Sequence, residues 1–155
     1  MSFNRLSSIK ILIFTKEEEV KMRNNKFYKR VFLIAAGYDF ILGFIFFLFY
    51  KSTYSLFGIE LPDSPTYLQL SAAFVFVQGL LYYFVYLNLK RNIDIVKVGV
   101  AYKIVYVGVA FYYWAVGGLP HEMFALFGFF DLIFIGLFVL YLIDYKNIAT
   151  EVRGK

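Results

Sequence analysis

The 155-residue chain has no cysteine, one histidine and three prolines, and only 17% of its residues are charged. Without cysteine there is no disulfide, no thiolate nucleophile and no Cys-ligated metal or iron–sulfur cluster. One histidine cannot supply haem with two axial imidazoles. The patterns GxxxxGKS, GxGxxG and HExxH are missing as well. No Ser–His–acid set can be assembled within the apolar segments. His121 stands beside Glu122 in a turn, and a lone His–Glu pair reads as an interfacial turn and not as a metal site. No metal and no cofactor is expected.

What is abundant is apolar surface. The chain is 61% hydrophobic and 23% aromatic, with a mean hydropathy of +0.65. A soluble domain is roughly 45–50% apolar and could not hide this much. Apolar runs of about 20 residues match a bilayer core of ~30 Å. The expected class is an integral membrane protein. A net charge of +5 would raise nucleic acid as a partner of a soluble domain. Here the charges flank apolar runs, so they read as topology, and no nucleic-acid partner is expected.

Four spans can be read, at about 31–50, 67–89, 95–119 and 123–143. Backbone groups in lipid must be satisfied within the segment, which makes each span an α-helix. The runs lack the dyad alternation of a transmembrane barrel. The breaks between them are polar or carry proline. LPDSPTY offers Ser64 as an N-cap and Pro65 at the first helical position. LKRNID is a tight turn, and GGLPHE ends one helix on glycine and begins the next after Pro120. Such short turns favour antiparallel neighbours. The expected fold is all-α, a polytopic transmembrane four-helix bundle running up-down-up-down over residues 31–145.

Lysine and arginine set the expected orientation. Residues 1–30 hold eight: Arg5, Lys10, Lys16, Lys21, Arg23, Lys26, Lys29 and Arg30. The second connection holds Lys90 and Arg91, and the tail, 146–155, holds Lys146, Arg153 and Lys155. The first connection has only Lys51, and the third has none. Both termini are therefore expected in the cytoplasm, with the chain in the cytoplasmic membrane. Residues 1–30 read as a basic cytoplasmic segment, interfacial or disordered. IKILIF is too short to span, TKEE has capping-box spacing, and MRNNKFYKRVFL offers Met22 as an alternative start. No small-residue cleavage site follows the short apolar stretch, so no signal peptide is read.

Ionisable residues deep in the spans are the main anomaly. Asp39, Lys103 and Asp131 each cost roughly 2.5–3.5 kcal/mol at a helix centre on insertion scales, and such residues face the bundle and find partners. At ~1.5 Å per residue, Asp39 and Lys103 lie roughly 12 Å from the cytoplasmic helix ends, Gln78 roughly 15 Å and Asp131 roughly 18 Å. One polar residue per helix thus falls in one layer. On the third helix Gly99, Lys103, Tyr106, Ala110, Tyr113 and Gly117 form one stripe at helical period. Ala36, Asp39 and Gly43 form a small–polar–small face on the first helix. Gly128 precedes Asp131 by three on the fourth, and Ser71, Gln78 and Tyr82 share a face on the second. Transmembrane interfaces combine small and polar residues in this way. Trp114, Tyr112 and Tyr113 near the far boundary read as an aromatic belt.

The expected polar site is therefore Asp39, Gln78, Lys103, Tyr106 and Asp131, with Tyr82 and Tyr113 as secondary hydroxyls. A structural reading pairs Lys103 with Asp39, and with Asp131, to fix helix register. A functional reading makes the layer a pocket or a proton path. One lysine against two aspartates is uneven. Either one carboxyl keeps its proton, or a water or cation completes the site.

A family resemblance rests on GYDFILG in the first span, FGIELPDSPTY in the following loop and GLLYYFVYLNLKRN ending the second. K-x-x-Y (Lys103, Tyr106) on the third and FFDLIF on the fourth complete it. Over about Lys29 to Tyr145 the chain resembles the DoxX-like group of small four-helix bacterial membrane proteins. The resemblance implies a compact bundle in the cytoplasmic membrane. Some members of that group are linked to quinone-coupled sulfur oxidation, for which this chain offers no redox ligand.

Three functions follow as expectations. The first is a non-enzymatic binding or accessory subunit with an intrabundle polar site. The second is a proton or small-ion pathway, which needs an oligomer because four helices rarely enclose a pore. The third is a quinone- or lipid-linked membrane enzyme, or a subunit of a redox complex, with Lys103 or a tyrosine as acid or base. The expected partners are the lipid bilayer, and beyond it other membrane subunits or a small hydrophobic ligand.

Overall fold

A computed structural model describes the backbone of residues 3–149 and the side chains of residues 24–146. Among the described residues the regular elements are all helices: α1 (Phe3–Leu48), α2 (Tyr50–Leu56), α3 (Thr66–Leu87), α4 (Ile93–Ala115) and α5 (Met123–Ala149). Four segments are long and apolar enough to cross a membrane: Asn24–Leu48, Thr66–Leu87, Ile93–Ala115 and Met123–Lys146. Each begins or ends within a few residues of its expected span. α1 runs without interruption across residue 30, so the basic segment and the first span share one helix.

Helix ends are set by local chemistry. α4 stops where Gly117 takes φ +72°, a conformation open to glycine at little cost. There the Gly118 amide donates to the Tyr113 carbonyl at 2.8 Å and the Gly117 amide to Trp114 at 3.3 Å, a Schellman closure. α2 closes the same way on Gly58, φ +65°, with the Ile59 amide on the Tyr54 carbonyl at 2.9 Å. α3 departs from expectation by one residue. Pro65 caps it without a side-chain bond, and the Ser64 hydroxyl turns to the Thr66 hydroxyl at 3.2 Å.

α2 is an addition to the expected plan. The chain breaks at Phe49, then makes two short turns that bury Tyr54 against Phe46. Burial pushes the Tyr54 phenol up from its ordinary value, which keeps the hydroxyl protonated.

The helices pack most closely as two pairs, α1 with α3 and α4 with α5, with lighter contacts between α3 and α4 and between α1 and α5. Glycine makes the first pair possible. A Cβ on Gly79 would lie 2.5 Å from the Phe40 amide nitrogen, and one on Gly43 would strike the Phe76 amide. The two backbones touch at both points, as small residues allow in membranes. Gly99 of α4 makes room for the Tyr82 ring, which a Cβ there would meet at 2.6 Å.

Two apolar clusters fill the interior. The larger contains Phe32, Tyr82, Val85, Val96, Phe138 and Tyr141, all fully buried, and lies at the end of the bundle carrying Leu89. Phe32 stacks on Phe138 at 4.8 Å, and Tyr82 meets Phe138 edge-on at 4.9 Å. The smaller, around Phe46, Tyr54, Ala72 and Met123, lies at the α2 end. Tyrosine hydroxyls join the elements across these clusters. Tyr28 donates to Asp144 at 2.5 Å, Tyr145 to the Lys90 carbonyl at 2.6 Å, and Tyr141 to the Leu89 carbonyl. The last two supply donors to carbonyls of the turn between α3 and α4.

Candidate functional site

The polar layer sits between the two clusters and is built from three helices. Asp39 comes from α1, Lys103 from α4 and Asp131 from α5. Lys103 is fully buried at 0% exposure, Asp39 at 2% and Asp131 at 5%. The Lys103 Nζ donates to Asp39 Oδ1 and Oδ2, both at 3.2 Å, and to Asp131 Oδ1 at 2.5 Å. An ammonium has three donors, and all are used. Around it stand the rings of Phe134, Tyr82 and Tyr38, with centroids 5.3, 5.5 and 5.8 Å from Nζ. These aromatic faces favour a cation.

The remaining expected residues divide. Gln78 is buried at 6% exposure, but its Nε2 has no hydrogen-bond partner and it does not reach the triad. Tyr82 lies over the lysine, yet its hydroxyl donates to the Gly99 carbonyl at 3.3 Å. Tyr106 is half-buried and donates to the Phe124 carbonyl at 3.2 Å, which ties α4 to α5. Tyr113 lies apart from the layer; it is exposed and pairs with Tyr112. Gly117 likewise leaves the stripe, because it is a cap. Ser71 is exposed and returns its hydroxyl to the Tyr67 carbonyl. His121 serves the α5 start, where its Nδ1 accepts from the Met123 amide at 3.1 Å.

On the α2 side of the triad lies a cavity of about 110 Å³. That is room for about three or four waters at ~30 Å³ each. Both aspartates line it, and Lys103 does not. Its other walls are Tyr38, Tyr102 and Tyr106, with Leu42, Phe46, Val75, Phe124 and Phe127 among the apolar ones. The triad is thus a floor, with the cation sealed beneath and the carboxylates facing the space. On the other side the core is closed by Phe32, Tyr82 and Phe138, so the cavity is a dead end. Toward the α2 end it shares Leu68, Ser71, Tyr106 and Phe124 with a groove between α3 and α4. A second groove, beside α2, shares Leu42, Phe46 and Phe127 with it.

Two wall residues escaped the sequence reading. Tyr38 presents a buried hydroxyl with no hydrogen-bond partner, and Tyr102 stands one turn before Tyr106 on the same face. Each is next in sequence to a charged residue, Asp39 or Lys103. The i, i+4 spacing of Tyr102 and Tyr106 was the available signal.

Fold and site together define a multi-helix protein with four membrane-length apolar helices and a buried Asp–Lys–Asp triad. Comparison of the chain with protein-family models, with curated proteins and with solved structures finds no match.

Proposed function

We propose that this is a small multi-pass protein of the cytoplasmic membrane that binds a small ligand in the cavity above Asp39 and Asp131, as a non-enzymatic binding or accessory subunit. The observation that carries this reading is the placement of the two carboxylates. A pure staple would pack both against the lysine and leave no space beside them. Here a void with room for about three or four waters adjoins them. Family resemblance adds the DoxX-like bundle as a proposed relationship. The closed core beyond the triad disfavours a through-path for protons or ions within one chain. The cavity is also smaller than the ~150 Å³ void that holds one benzene, which disfavours a substituted quinone as its occupant.

The proposed topology is up-down-up-down with both termini in the cytoplasm. Gly43 meets Ala72 and Phe76 while Gly79 meets Ala36 and Phe40, which supports an antiparallel α1–α3 pair. Lys26, Lys29, Lys90 and Arg91 gather at the Leu89 end, against Lys51 alone near α2, which supports that end as cytoplasmic. The absence of cysteine makes a clean test possible. A membrane-impermeant maleimide applied to whole cells is expected to label Ser64→Cys and to spare Arg91→Cys until the membrane is opened. The reverse pattern would invert the topology.

The binding reading is tested by native mass spectrometry of the full chain released from lipid nanodiscs. Wild type is expected to retain a small non-covalent adduct. Val75→Phe, which fills the cavity, is expected to lose it without melting lower. Equal masses in the two proteins would count against a ligand.

A further inference from the structure

We infer that the cavity ligand is a small organic cation, a protonated amine with an apolar body of a few carbons. The inference rests on the binding reading above and adds the chemistry of the occupant.

Charge is the first ground. Asp39 and Asp131 carry two formal negative charges and Lys103 one positive, so the floor of the cavity is one cation short. Lys103 has spent its three donors on three carboxylate oxygens. No donor among the described residues reaches Asp131 Oδ2, although Asp131 lines the cavity. That oxygen has acceptor capacity to spare beside the cavity, and a ligand N–H can pair with it.

The second ground is independent of the acids. The Tyr38 hydroxyl is buried on the cavity wall without a partner. It can accept from the same ammonium, which has three donors to place. Tyr102 and Tyr106 add two more aromatic residues to the wall, a residue type that attracts cations. The shared Lys103 already shows this preference, since it sits among three rings.

The third ground disfavours the simplest rival, a hard divalent cation. Hard divalent cations take about six to eight oxygens, often several of them carboxylate. Asp39 has both oxygens on Lys103, and no group of three or more His, Asp or Glu occurs among the described residues. Most of the wall is apolar, including Leu42, Val75 and Phe127. That suits a hydrocarbon body and gives a stripped metal ion few ligands. A volume of about 110 Å³ accommodates a body of a few carbons.

The test uses the full chain in nanodiscs at constant ionic strength, with n-propylammonium chloride as the probe. Isothermal titration is expected to give saturable binding, weakened at least tenfold by Asp131→Asn. Val75→Phe keeps all charges and is expected to abolish binding, so a folding defect in Asp131→Asn does not decide the matter. 1-Propanol, similar in size and uncharged, is expected to bind at least tenfold more weakly. Equal binding of 1-propanol would overturn the cationic class and leave the cavity reading standing. Preference for butanone would do the same, because it would mean that a proton neutralises the site and donates to a carbonyl. Competition by potassium at equal concentration would overturn the organic class. Absence of binding by any of these probes would overturn both readings.

Discussion

Lys103→Met is expected to destabilise the folded bundle by about 3–5 kcal/mol, the cost of removing one partner from a buried ion pair. Methionine keeps the length and the apolar stem of lysine. What it removes is the only cation among the described residues that touches two carboxylates, Asp39 at 2% exposure and Asp131 at 5%. The companion variant separates charge from packing. With Asp39→Leu and Asp131→Leu added to Lys103→Met, no charge remains, and apolar replacements of buried ion pairs are often neutral or stabilising. Melting temperature in detergent should fall sharply for the single variant and recover most of the loss in the triple. A single variant that melts like wild type would mean that Lys103 does not compensate both acids. The binding of a cationic ligand should be lost in the triple variant, which keeps no carboxylate on the cavity.

Gly79→Leu should have an effect nearly as large, for a different reason. At this position the neighbour is backbone, not a movable side chain. Even the first added carbon would lie 2.5 Å from the Phe40 amide nitrogen, so α1 and α3 must move apart. Overpacking of a core costs typically 1–3 kcal/mol and sometimes more. Here it falls on the closest helix pair in the bundle, so the upper end is expected. Gly37→Ala and Gly108→Ala are matched controls, since nothing lies within 4 Å of a Cβ at either position. They should melt no lower than wild type. If Gly79→Leu also did so, the close backbone crossing would be wrong.

Much of this arrangement is legible in the residues. Membrane solvation forces each long apolar run into a helix, so the spans follow from composition. Helical rise and period then place Asp39, Lys103 and Asp131 at similar depth and on inward faces, and the structure brings these three into contact. Gln78 has the right depth and burial but stays outside the triad, because depth along a helix leaves its rotation and its neighbour undetermined. Tyr113 fails for another cause. It lies in the last turn before the Gly117 cap, where α4 leaves the packed bundle and the stripe meets no partner. α2 was hidden because seven residues with one buried tyrosine carry no periodic signal. The cavity is the feature least open to sequence reasoning. It exists where large side chains fail to meet, and a list of residues does not record a gap.

The claim that two carboxylates floor a cavity reached from the α2 end is tested most directly by cysteine chemistry on this cysteine-free chain. Val75→Cys lines the cavity, and Val85→Cys lies ten residues further along α3 in the closed core at 0% exposure. Aminoethyl methanethiosulfonate carries an ammonium, and its sulfonatoethyl analogue carries a negative charge. The cationic reagent should modify Val75→Cys at least tenfold faster than the anionic one, and n-propylammonium should slow it. Val85→Cys should react with neither. Equal rates for the two reagents at Val75→Cys, or modification of Val85→Cys at a similar rate, would contradict a carboxylate-floored cavity closed beneath Lys103.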